Sequence, residues 1–526
     1  MTAESIYLVS SLLIGAYLGW RIVETASLRL FGHAVTPYAT HRPPLWLLAI
    51  GFPLLFVSWR RFTHLRKMRA HNTQPALVFP HRDPVFGLDY LYLALAAIRA
   101  NAILEFWEDL FVKVGNTYWF NALGGWKLMT CEPENIKTML ATEFDSWPIQ
   151  GLRHKLAHIV LGPHAIFSTN GHEWTRARAL IRPSFVRNQI ADLECTDRHV
   201  DDFLNRLSSD NQSKVNLQAL FYMFTMDVST DFMFGRSTNM LVSPGEDAVA
   251  FCKAFDYALL ASASRARLGW LLRDKLLDES VAQCRAFIGR HVAASLAQDK
   301  VKERPYVFMN ELVDSGATHE QITDQLMAII IGGRDTSAST LSSLFWMLAR
   351  RPDVVKILRD ELASLEGRRP TWDELKGLKY LNNVLKEALR LWPPVPANTR
   401  TAGKDTVLPK GGGPDGQSPV FVPKGTECRY STTSLHRRKD IYGEDAEEFR
   451  PERWDNLRTS WEYIPFSGGP RICIGQQFAL TMMSYLTASF FQAYKTIEAC
   501  DDLPMAQKAS TTISLVNGCW VTLTPA

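Results

Sequence analysis

The chain has 526 residues, 46% of them hydrophobic, and is therefore long enough to bury a large core. Its net charge is only +4, and basic residues are concentrated nowhere beyond the N-terminal part, so nucleic-acid binding has no support. The eight cysteines are scattered without a C-x-x-C pair, which argues against a disulfide scaffold or a zinc site and for a reducing compartment.

Two apolar runs come first in the chain, at about 6–20 and 43–59. Each contains about 15 apolar residues, whereas a helix that crosses a bilayer upright needs about 20. The first run follows Glu4 instead of a basic segment, which argues against a cleaved signal peptide. We expect the second run to span the membrane. The first run either forms the other arm of a hairpin or lies in the membrane interface.

A basic cluster follows the second run and consists of Arg60, Arg61, Arg66, Lys67 and Arg69. By the positive-inside tendency, this cluster places the following domain in the cytosol. The sequence therefore predicts a membrane anchor over residues 1–69, in contact with membrane lipid, and one catalytic domain over residues 70–526.

Helical periodicity dominates residues 191–364, and short β-rich pieces lie outside them. One piece, 118–130, predicts a hairpin around Gly124-Gly125. Another, 511–523, contains Asn517-Gly518, which is a type I′ turn signal between apolar stretches. The predicted fold class is mainly α with small β-sheets.

The longest predicted helix begins at Thr318, where Gln321 completes a capping box, and ends before Pro352. About 30 residues at 1.5 Å each make a rod of roughly 45 Å, which crosses a whole domain. Gly332-Gly333 lies midway, and each glycine costs about 1 kcal/mol relative to alanine in a helix interior. We expect the helix to loosen there and to open a groove.

The segment 466–475 holds the most restrictive pattern of the chain, F-x-x-G-x-R-x-C-x-G. Its fixed positions are Phe466, Gly469, Arg471, Cys473 and Gly475. A single cysteine is usually a small buried hydrophobe, but chance gives this pattern in fewer than about one chain in a thousand of this length. Glycines let a loop approach a flat ligand and aim N–H groups at a thiolate, and the arginine suits a carboxylate.

With these residues the chain resembles the cytochrome P-450 superfamily of haem-thiolate monooxygenases, over nearly its whole length beyond the anchor. The resemblance implies the P-450 fold and haem b, with Cys473 as the axial iron ligand and Phe466, Gly469, Arg471 and Gly475 as cofactor-binding residues. It also implies electrons from NADPH through NADPH–cytochrome P-450 reductase. The implied location is the endoplasmic reticulum membrane, with the catalytic domain facing the cytosol.

Two further motifs resemble haem-binding positions of the family. Trp174 and Arg178 lie four residues apart, on one face of a helix, and match a W-x-x-x-R helix whose side chains reach a haem propionate. Arg400 matches another propionate-binding arginine, which follows the E-x-x-R helix of the family.

Glu387 and Arg390 match that E-x-x-R pair, and their spacing places both side chains on one helix face. In the family this pair joins the arginine of a later P-E-R segment, here Arg453. The resemblance implies a three-member ion network behind the haem loop with a structural role, in which the loss of one partner leaves a buried charge unpaired.

Asp335 and Thr336, which follow the mid-helix glycines, have two interpretations. In one, the Thr336 hydroxyl only back-bonds to the carbonyl of Gly332, and Asp335 is a paired buried acid. In the other, favoured by the family's acid–alcohol pair, both residues are catalytic. They then deliver the two protons that cleavage of dioxygen requires in a dry pocket.

Segments 408–416, 439–450 and 476–480 resemble the fungal alkane and fatty-acid hydroxylase branch of the family. This implies hydroxylation of an unactivated C–H bond in a lipophilic aliphatic substrate, such as a fatty-acid-like or alkane-like chain. The chain departs from that branch at Ala397 and Thr399, where a basic residue and an aromatic residue are usual. A tailoring oxidation in a fungal secondary-metabolite pathway, on a polyketide, terpenoid or alkaloid, is therefore the alternative.

Two other classes of function remain open for a haem-thiolate protein. One is an isomerase or dehydratase that needs no reductase, and the other is a non-catalytic carrier of haem or lipid. The intact Asp335-Thr336 pair favours the monooxygenase, because neither of these classes has a use for a proton relay.

Deletion of residues 1–69 is expected to release the catalytic domain from membranes, because it removes both apolar runs and the basic cluster. Sedimentation of the full-length and the shortened chain with microsomes measures this. If the shortened chain still sediments with the membranes, a second surface holds it there and residues 1–69 are not the sole anchor.

Overall fold

The computed structural model describes residues 62–185, 191–209, 214–268, 274–297 and 308–526 of the protein. Both predicted apolar runs lie outside the described residues, and residues 62–70 are helical. Within the described ranges, no helix has the length and apolar character required to cross a bilayer.

Helices make up most of the described chain, as the sequence predicts. They are α1 (Leu88–Arg99), α2 (Ile103–Val114), α3 (Pro133–Lys137), α4 (Gly151–Leu161), α5 (Gly171–Ile181), α6 (Glu194–Ser209), α7 (Leu217–Phe234), α8 (Glu246–Leu268), α9 (Lys275–Ala297), α10 (Phe308–Asp314), α11 (His319–Leu348), α12 (Pro352–Leu362), α13 (Trp372–Gly377), α14 (Lys379–Leu391), α15 (Thr432–His436), α16 (Lys439–Tyr442), α17 (Arg453–Asn456) and α18 (Gln476–Ala493).

Short strands form small sheets, which confirms the predicted fold class. The strands are β1 (Leu77–Val78), β2 (Thr117–Ala122), β3 (Gly125–Thr130), β4 (Val215–Asn216), β5 (Ala397–Thr401), β6 (Thr406–Gly412), β7 (Ser418–Val422), β8 (Glu427–Ser431), β9 (Tyr494–Ala499), β10 (Gln507–Ala509), β11 (Ile513–Leu515) and β12 (Trp520–Pro525). The largest sheet has the order β1-β2-β3-β8-β5, a second has the order β4-β12-β9, and β6-β7 and β10-β11 form pairs.

The first predicted hairpin is confirmed, with its turn one residue earlier than predicted. β2 and β3 pair antiparallel, and the two-residue loop consists of Leu123 and Gly124, both with positive φ (56° and 74°). Gly125 already belongs to β3. A type I′ turn requires a positive φ at both central residues. Gly124 adopts this conformation readily because it has no side chain, whereas the exposed Leu123 adopts it with backbone strain.

The type I′ turn signal at Asn517-Gly518 is wrong. The strands on either side of Asn517-Gly518 do not pair with each other, because β11 pairs with β10, and β12 pairs with β9 and β4. Gly518 has φ 74°, whereas Asn517 does not have a positive φ. The turn signal therefore marks a crossing from one small sheet to another, and tertiary pairing overrides the local preference.

The long helix α11 begins with the predicted capping box. Thr318 Oγ1 accepts a hydrogen bond from the Gln321 N–H at 3.2 Å, and Gln321 Oε1 accepts one from the Thr318 N–H at 3.1 Å. The helix ends at Leu348, and Pro352 opens α12. It runs through Gly332 and Gly333 without interruption, so the predicted loosening is wrong.

The core is arranged around α11. Its first half gives Ile322, Leu326 and Ile330 to one apolar cluster, and its second half gives Leu341 and Phe345 to another. The polar segment 332–337 between these halves contributes to neither cluster. Two packed cores therefore hold this short polar segment in place.

Glu387 on α14 is fully buried, and both of its carboxylate oxygens accept hydrogen bonds. Arg390 donates from Nε and Nη2 at 2.9 and 2.8 Å, and Arg453 donates from Nε at 3.2 Å. The indole N–H of Trp454 donates at 2.9 Å. The structure thus brings the three residues of the predicted ion network together, and it adds a tryptophan that the sequence did not indicate.

The network reaches the segment before Phe466 through a buried histidine. Arg390 Nη1 donates to the carbonyl of His436 at 2.9 Å, and His436 Nδ1 lies 3.2 Å from the Arg390 carbonyl. Burial, and then the Arg390 charge, lower the pKa of His436 to about 3, so the imidazole is neutral. Its Nε2 accepts a hydrogen bond from the Ile464 N–H at 2.9 Å, which fixes the start of the cysteine segment.

Candidate functional site

A cavity lies between the middle of α11 and the segment 464–475 with the start of α18. Predicted site residues that line this cavity are Trp174, Arg178, Thr336, Arg400, Phe466, Arg471, Cys473 and Gly475. Asp335 and Gly469 do not line it. Helices α4 and α5 and strand β5 close the remaining sides, so residues from distant parts of the sequence meet here.

Cys473 lines the cavity together with residues from the middle of α11. All eight cysteines belong to the described ranges, and Cys473 is the one whose side chain is exposed. Burial within the protein raises the pKa of its thiol, whereas the Gly475 N–H and the Arg178 guanidinium act in the opposite direction by favouring the thiolate. The site therefore presents one accessible sulfur with donors arranged to stabilise its anion.

The glycines before the cysteine serve close packing. Gly469 has φ 66°, and a Cβ at this position would lie 1.9 Å from the carbonyl oxygen of Leu140. A Cβ on Gly468 would lie 2.5 Å from the Trp461 ring. Gly469, predicted as a cofactor-binding residue, is therefore placed where it allows the loop to pack on its neighbours, outside the cavity wall.

Four arginines meet at one end of the cavity: Arg153 on α4, Arg178 on α5, Arg400 on β5 and Arg471 in the cysteine segment. None of them forms a salt bridge with a carboxylate in the part of the chain that the structure describes. Burial, and then repulsion between these guanidinium groups, lower the pKa of Arg153 and of Arg471 to about 9. This end of the cavity therefore carries uncompensated positive charge.

Some of these guanidinium atoms have hydrogen-bond partners and others have none. Arg471 donates to the carbonyl of Thr169 at 2.7 Å, and its guanidinium lies 4.5 Å from the centre of the Trp174 ring. Arg153 Nη1 and Arg400 Nε are buried without a partner among the described residues. A buried cation without an acceptor is costly. The two propionates of a haem group would supply the missing acceptors, and the accessible sulfur of Cys473 would supply an iron ligand, so these residues fit haem.

The segment 332–337 contributes Gly332, Gly333, Thr336 and Ser337 to the cavity wall. Thr336 lines the cavity, and its hydroxyl donates to the Gly332 carbonyl at 2.6 Å. Asp335 is buried outside the cavity and lies 3.2 Å from Arg334 Nη1. Burial raises the pKa of Asp335 to about 6, against the effect of Arg334. The structure thus brings only the alcohol of the predicted pair to the cavity, and the paired acid and back-bonded hydroxyl have the local geometry of the first interpretation.

The two mid-helix glycines have different surroundings. A Cβ on Gly332 would meet no atom within 4 Å, because the position faces the open cavity. A Cβ on Gly333 would lie 2.8 Å from Ser229 Oγ of α7. Gly332 therefore leaves space above the cysteine, and Gly333 allows α7 and α11 to pack closely.

The rest of the cavity wall is mostly apolar. Ile166, Phe167, Ile329 and Val395 contribute to it, and Asn398 on β5 adds an amide. Ala397 and Thr399, where the sequence departs from the hydroxylase branch, do not line the cavity. Because side chains alternate along a strand, Asn398 and Arg400 share the face toward the cavity, and the two departures lie on the other face.

Sequence reasoning missed Arg153. It stands near the start of α4 in a stretch with no recognisable motif, and its isolation from acidic partners becomes visible only in three dimensions. An unpaired arginine beside a cavity is a signal that a structure gives and a spacing pattern does not.

Comparisons with known proteins show which family the chain resembles. The cytochrome P-450 family model matches residues 84–517. The chain is 41% identical over 494 residues to cytochrome P-450 monooxygenase himC of Aspergillus japonicus, covering 90% of this chain and 89% of that protein. It is 39% identical over 476 residues to cytochrome P-450 monooxygenase FPY7 of Fusarium mangiferae (87% and 91% covered). It is 34% identical over 519 residues to cytochrome P-450 52A13 of Debaryomyces hansenii (93% and 99% covered).

Arg153→Met is expected to weaken haem retention about tenfold, because a charge-assisted hydrogen bond to a propionate is lost. The rate of haem transfer from the purified protein to excess apomyoglobin measures this. Lys155→Met, on the same helix at an exposed position, is the matched control and should release haem at the rate of the unaltered protein. Equal rates for the Arg153 variant and the unaltered protein would remove Arg153 from the cofactor site.

Proposed function

The chain belongs to the cytochrome P-450 family, and we propose that it hydroxylates an unactivated C–H bond of a lipophilic aliphatic substrate, such as a fatty-acid-like or alkane-like chain. It is a haem-dependent monooxygenase of that family. The observation that supports the proposal is an apolar cavity placed between an accessible cysteine sulfur and a helix wall that carries a hydroxyl group.

When bound, the haem activates dioxygen with electrons that NADPH supplies through a reductase. We assign Cys473 as the iron ligand, since its sulfur is accessible and the Gly475 N–H supports its anionic form. Arg153, Arg178, Arg400 and Arg471 would hold the cofactor by its propionates. Trp174 packs against the Arg471 guanidinium. The fixed positions of these residues would orient the cofactor in the cavity.

The residues of α11 that line the cavity determine its free volume, its polarity and the position of a hydroxyl group. Gly332 leaves room above the cysteine because it has no side chain, and Ile329 keeps the neighbouring surface apolar. Thr336 donates its hydroxyl proton to the Gly332 carbonyl, so its oxygen lone pairs are free to accept a hydrogen bond from a donor in the cavity. We assign Thr336 and Asp335 as the alcohol and the acid that supply protons for dioxygen cleavage.

The substrate region offers no charge of its own. Among the described residues that line the cavity, the cations are the four arginines at the propionate end. An aliphatic chain suits the apolar wall, and the segments that resemble fungal alkane and fatty-acid hydroxylases support this class. Asn398 favours the second candidate, a tailoring oxidation of a neutral secondary metabolite, because its amide can hold a carbonyl or hydroxyl group.

Turnover of two substrate panels separates the candidates. Microsomes that contain the expressed protein and its reductase are incubated with NADPH and either fatty acids or neutral lipophilic polyketides, terpenoids and alkaloids. Hydroxylated fatty acids support the first candidate, and oxidation confined to the neutral panel supports the second. Product that forms without NADPH would contradict both and would indicate an isomerase or dehydratase.

We also propose that residues 1–69 attach the enzyme to the endoplasmic reticulum membrane, with the catalytic domain on the cytosolic side. The two apolar runs and the basic cluster support this. A lipophilic substrate that partitions into the bilayer would then be concentrated at the enzyme.

Cys473→Ala is expected to abolish the thiolate-type absorption band of the reduced carbon monoxide complex, because the ligand sulfur is absent. Difference spectra of the purified variants measure this. Cys500→Ala, which changes a half-buried cysteine that does not line the cavity, should leave the band unchanged. A retained thiolate band in the Cys473 variant would contradict the assignment of the ligand.

Thr336→Ala is expected to lower the amount of product formed per NADPH consumed by roughly tenfold, with peroxide released instead, because proton delivery is impaired. Product, peroxide and NADPH are quantified in the same incubation. Thr340→Ala is the matched control: it lies one turn further along α11, lines the same cavity and donates to the Thr336 carbonyl at 2.9 Å. Unchanged coupling in the Thr336 variant would remove that residue from the relay.

A further inference from the structure

Three side chains with metal-binding atoms meet where the start of α6 lies against the end of α7. They are Cys195 and His199 on α6 and Asp231 in the last turn of α7. The cysteine sulfur, a ring nitrogen and a carboxylate oxygen all lie within 4.8 Å of one another. Among the described residues, this is the one group of three or more such side chains that is compact enough to hold a metal ion. None of the three lines the cavity that contains Cys473, so the group is separate from the site already described.

The distances between the three atoms are close to those of a tetrahedral zinc site. Cys195 Sγ lies 3.6 Å from Asp231 Oδ2, and His199 Nε2 lies 2.9 Å from the same oxygen. Ligands that are about 2.0–2.3 Å from a tetrahedral zinc ion lie roughly 3.3–3.6 Å from one another. Because Cys195 and His199 are four residues apart on one helix, both side chains point to the same face. A shift of the imidazole by about half an ångström would therefore admit the ion.

The imidazole of His199 has a second carboxylate on its other side. Its side chain is 3% exposed, and its Nδ1 lies 3.5 Å from Asp202 Oδ2, one turn further along α6. Nδ1 is buried and forms no hydrogen bond among the described residues. A histidine that binds a metal through one ring nitrogen almost always directs its other N–H to a carboxylate, a backbone carbonyl or water, which fixes the ring. Asp202 is thus placed to accept that hydrogen bond when Nε2 binds an ion.

The Asp231 carboxylate is surrounded by positive and proton-donating groups that a metal ion can replace. Its Oδ2 accepts a hydrogen bond from the Cys195 thiol, contacts His199 Nε2 and lies 3.4 Å from Arg198 Nη2. The Arg198 side chain is 58% exposed, so it can turn into water at little cost. Burial, and then the charge of Asp231, raise the pKa of the Cys195 thiol, so the sulfur keeps its proton until a cation replaces it.

We propose that Cys195, His199 and Asp231 bind one zinc ion, which joins the start of α6 to the end of α7, with water as the fourth ligand. The site is additional to the monooxygenase function and does not depend on the substrate. Thiolate and imidazole ligands favour zinc over calcium or magnesium, which prefer oxygen ligands. On binding, the Cys195 thiol loses its proton to solvent, and His199 binds through Nε2 with its remaining proton on Nδ1, toward Asp202. The thiolate and the Asp231 carboxylate then balance the two charges of the ion.

The end of α7 also carries part of the cavity wall. Phe232 follows Asp231 in the chain and lines the cavity. Its ring packs against those of Phe185 and Phe478, with ring centres 5.4 and 4.7 Å away. Zinc should raise the melting temperature of the unaltered holoenzyme but not that of Cys195→Ser, because only the folded chain holds the three ligands together. An equal rise in both proteins would contradict the site.

Zinc titration of the purified, untagged, full-length holoenzyme measures stoichiometry and affinity. The protein is first freed of loosely bound metal with a chelator, its haem content is checked by absorption, and zinc is then titrated against a fluorescent chelator. One zinc ion per chain is expected to bind. Cys195→Ser should weaken binding by at least about a hundredfold, because the thiolate ligand is lost. Cys500→Ser, at a half-buried cysteine outside the group, is the matched control and should bind zinc like the unaltered protein.

Neighbouring charges on α6 test the orientation of the imidazole and the charge of the site. Asp202→Asn should weaken zinc binding about tenfold, because an amide holds the Nδ1–H of His199 less well than a carboxylate. Asp201→Asn is the matched control, since Asp201 is exposed and pairs with Arg369 at 2.5 Å, and its affinity should not change. Arg198→Met should strengthen binding about threefold, because a competing positive charge is removed.

X-ray absorption at the zinc edge identifies the ligands in the loaded holoenzyme. One sulfur at about 2.3 Å and lighter atoms at about 2.0–2.1 Å are expected. Zinc without a sulfur ligand, less than one ion per chain, or equal affinity in Cys195→Ser would overturn the proposal. The three side chains would then form a hydrogen-bonded group that takes up an adventitious ion only. If Cys195→Ser does not fold with haem, the opposite shifts expected for Asp202→Asn and Arg198→Met decide, and unchanged affinity in both would overturn the proposal.

Discussion

The carboxylate of Glu387 is the buried charge on which the geometry of the site depends. It receives hydrogen bonds from Arg390, Arg453 and Trp454, and Arg390 passes the constraint to His436 and so to the Ile464 N–H. Cys473 follows nine residues later, in a loop that closes when its N–H donates to the Phe466 carbonyl at 3.0 Å. A buried ion pair that loses one partner costs about 3–5 kcal/mol. We therefore expect that loss of any partner of Glu387 would also displace the Cys473 sulfur.

The opposite wall of the cavity depends on packing instead of charge. Helix α11 is anchored at both ends in apolar clusters, so its polar segment 332–337 lies at the seam between them. Gly333 allows Ser229 of α7 to pack against α11, and Gly332 faces the cavity. The two walls are thus fixed by different interactions, and their separation is set by the domain as a whole.

Residues that belong to short, fixed patterns could be predicted from the sequence, and residues joined by tertiary contacts could not. Cys473, Arg471 and Trp174 stand in motifs of a few residues and do line the cavity. Arg153 carries no local signal, because the charges that act on it belong to residues more than 70 positions away. The prediction for Asn517-Gly518 was wrong for the same reason, because the strands on either side of it belong to sheets assembled from other segments.

The position of Asp335 on α11 determines which groups its carboxylate can contact. Residues four apart share a helix face, so Gly332 and Thr336 both look into the cavity, whereas Asp335 points about 100° away. An acid on that side contacts Arg334 and does not line the cavity.

The positive charges of the site are divided into two sets. The four arginines of the cavity form no ion pair with a carboxylate of the described residues, whereas Arg334 is balanced by two carboxylates. The wall between them is left uncharged, which is the condition under which an apolar substrate can displace water next to the reacting centre.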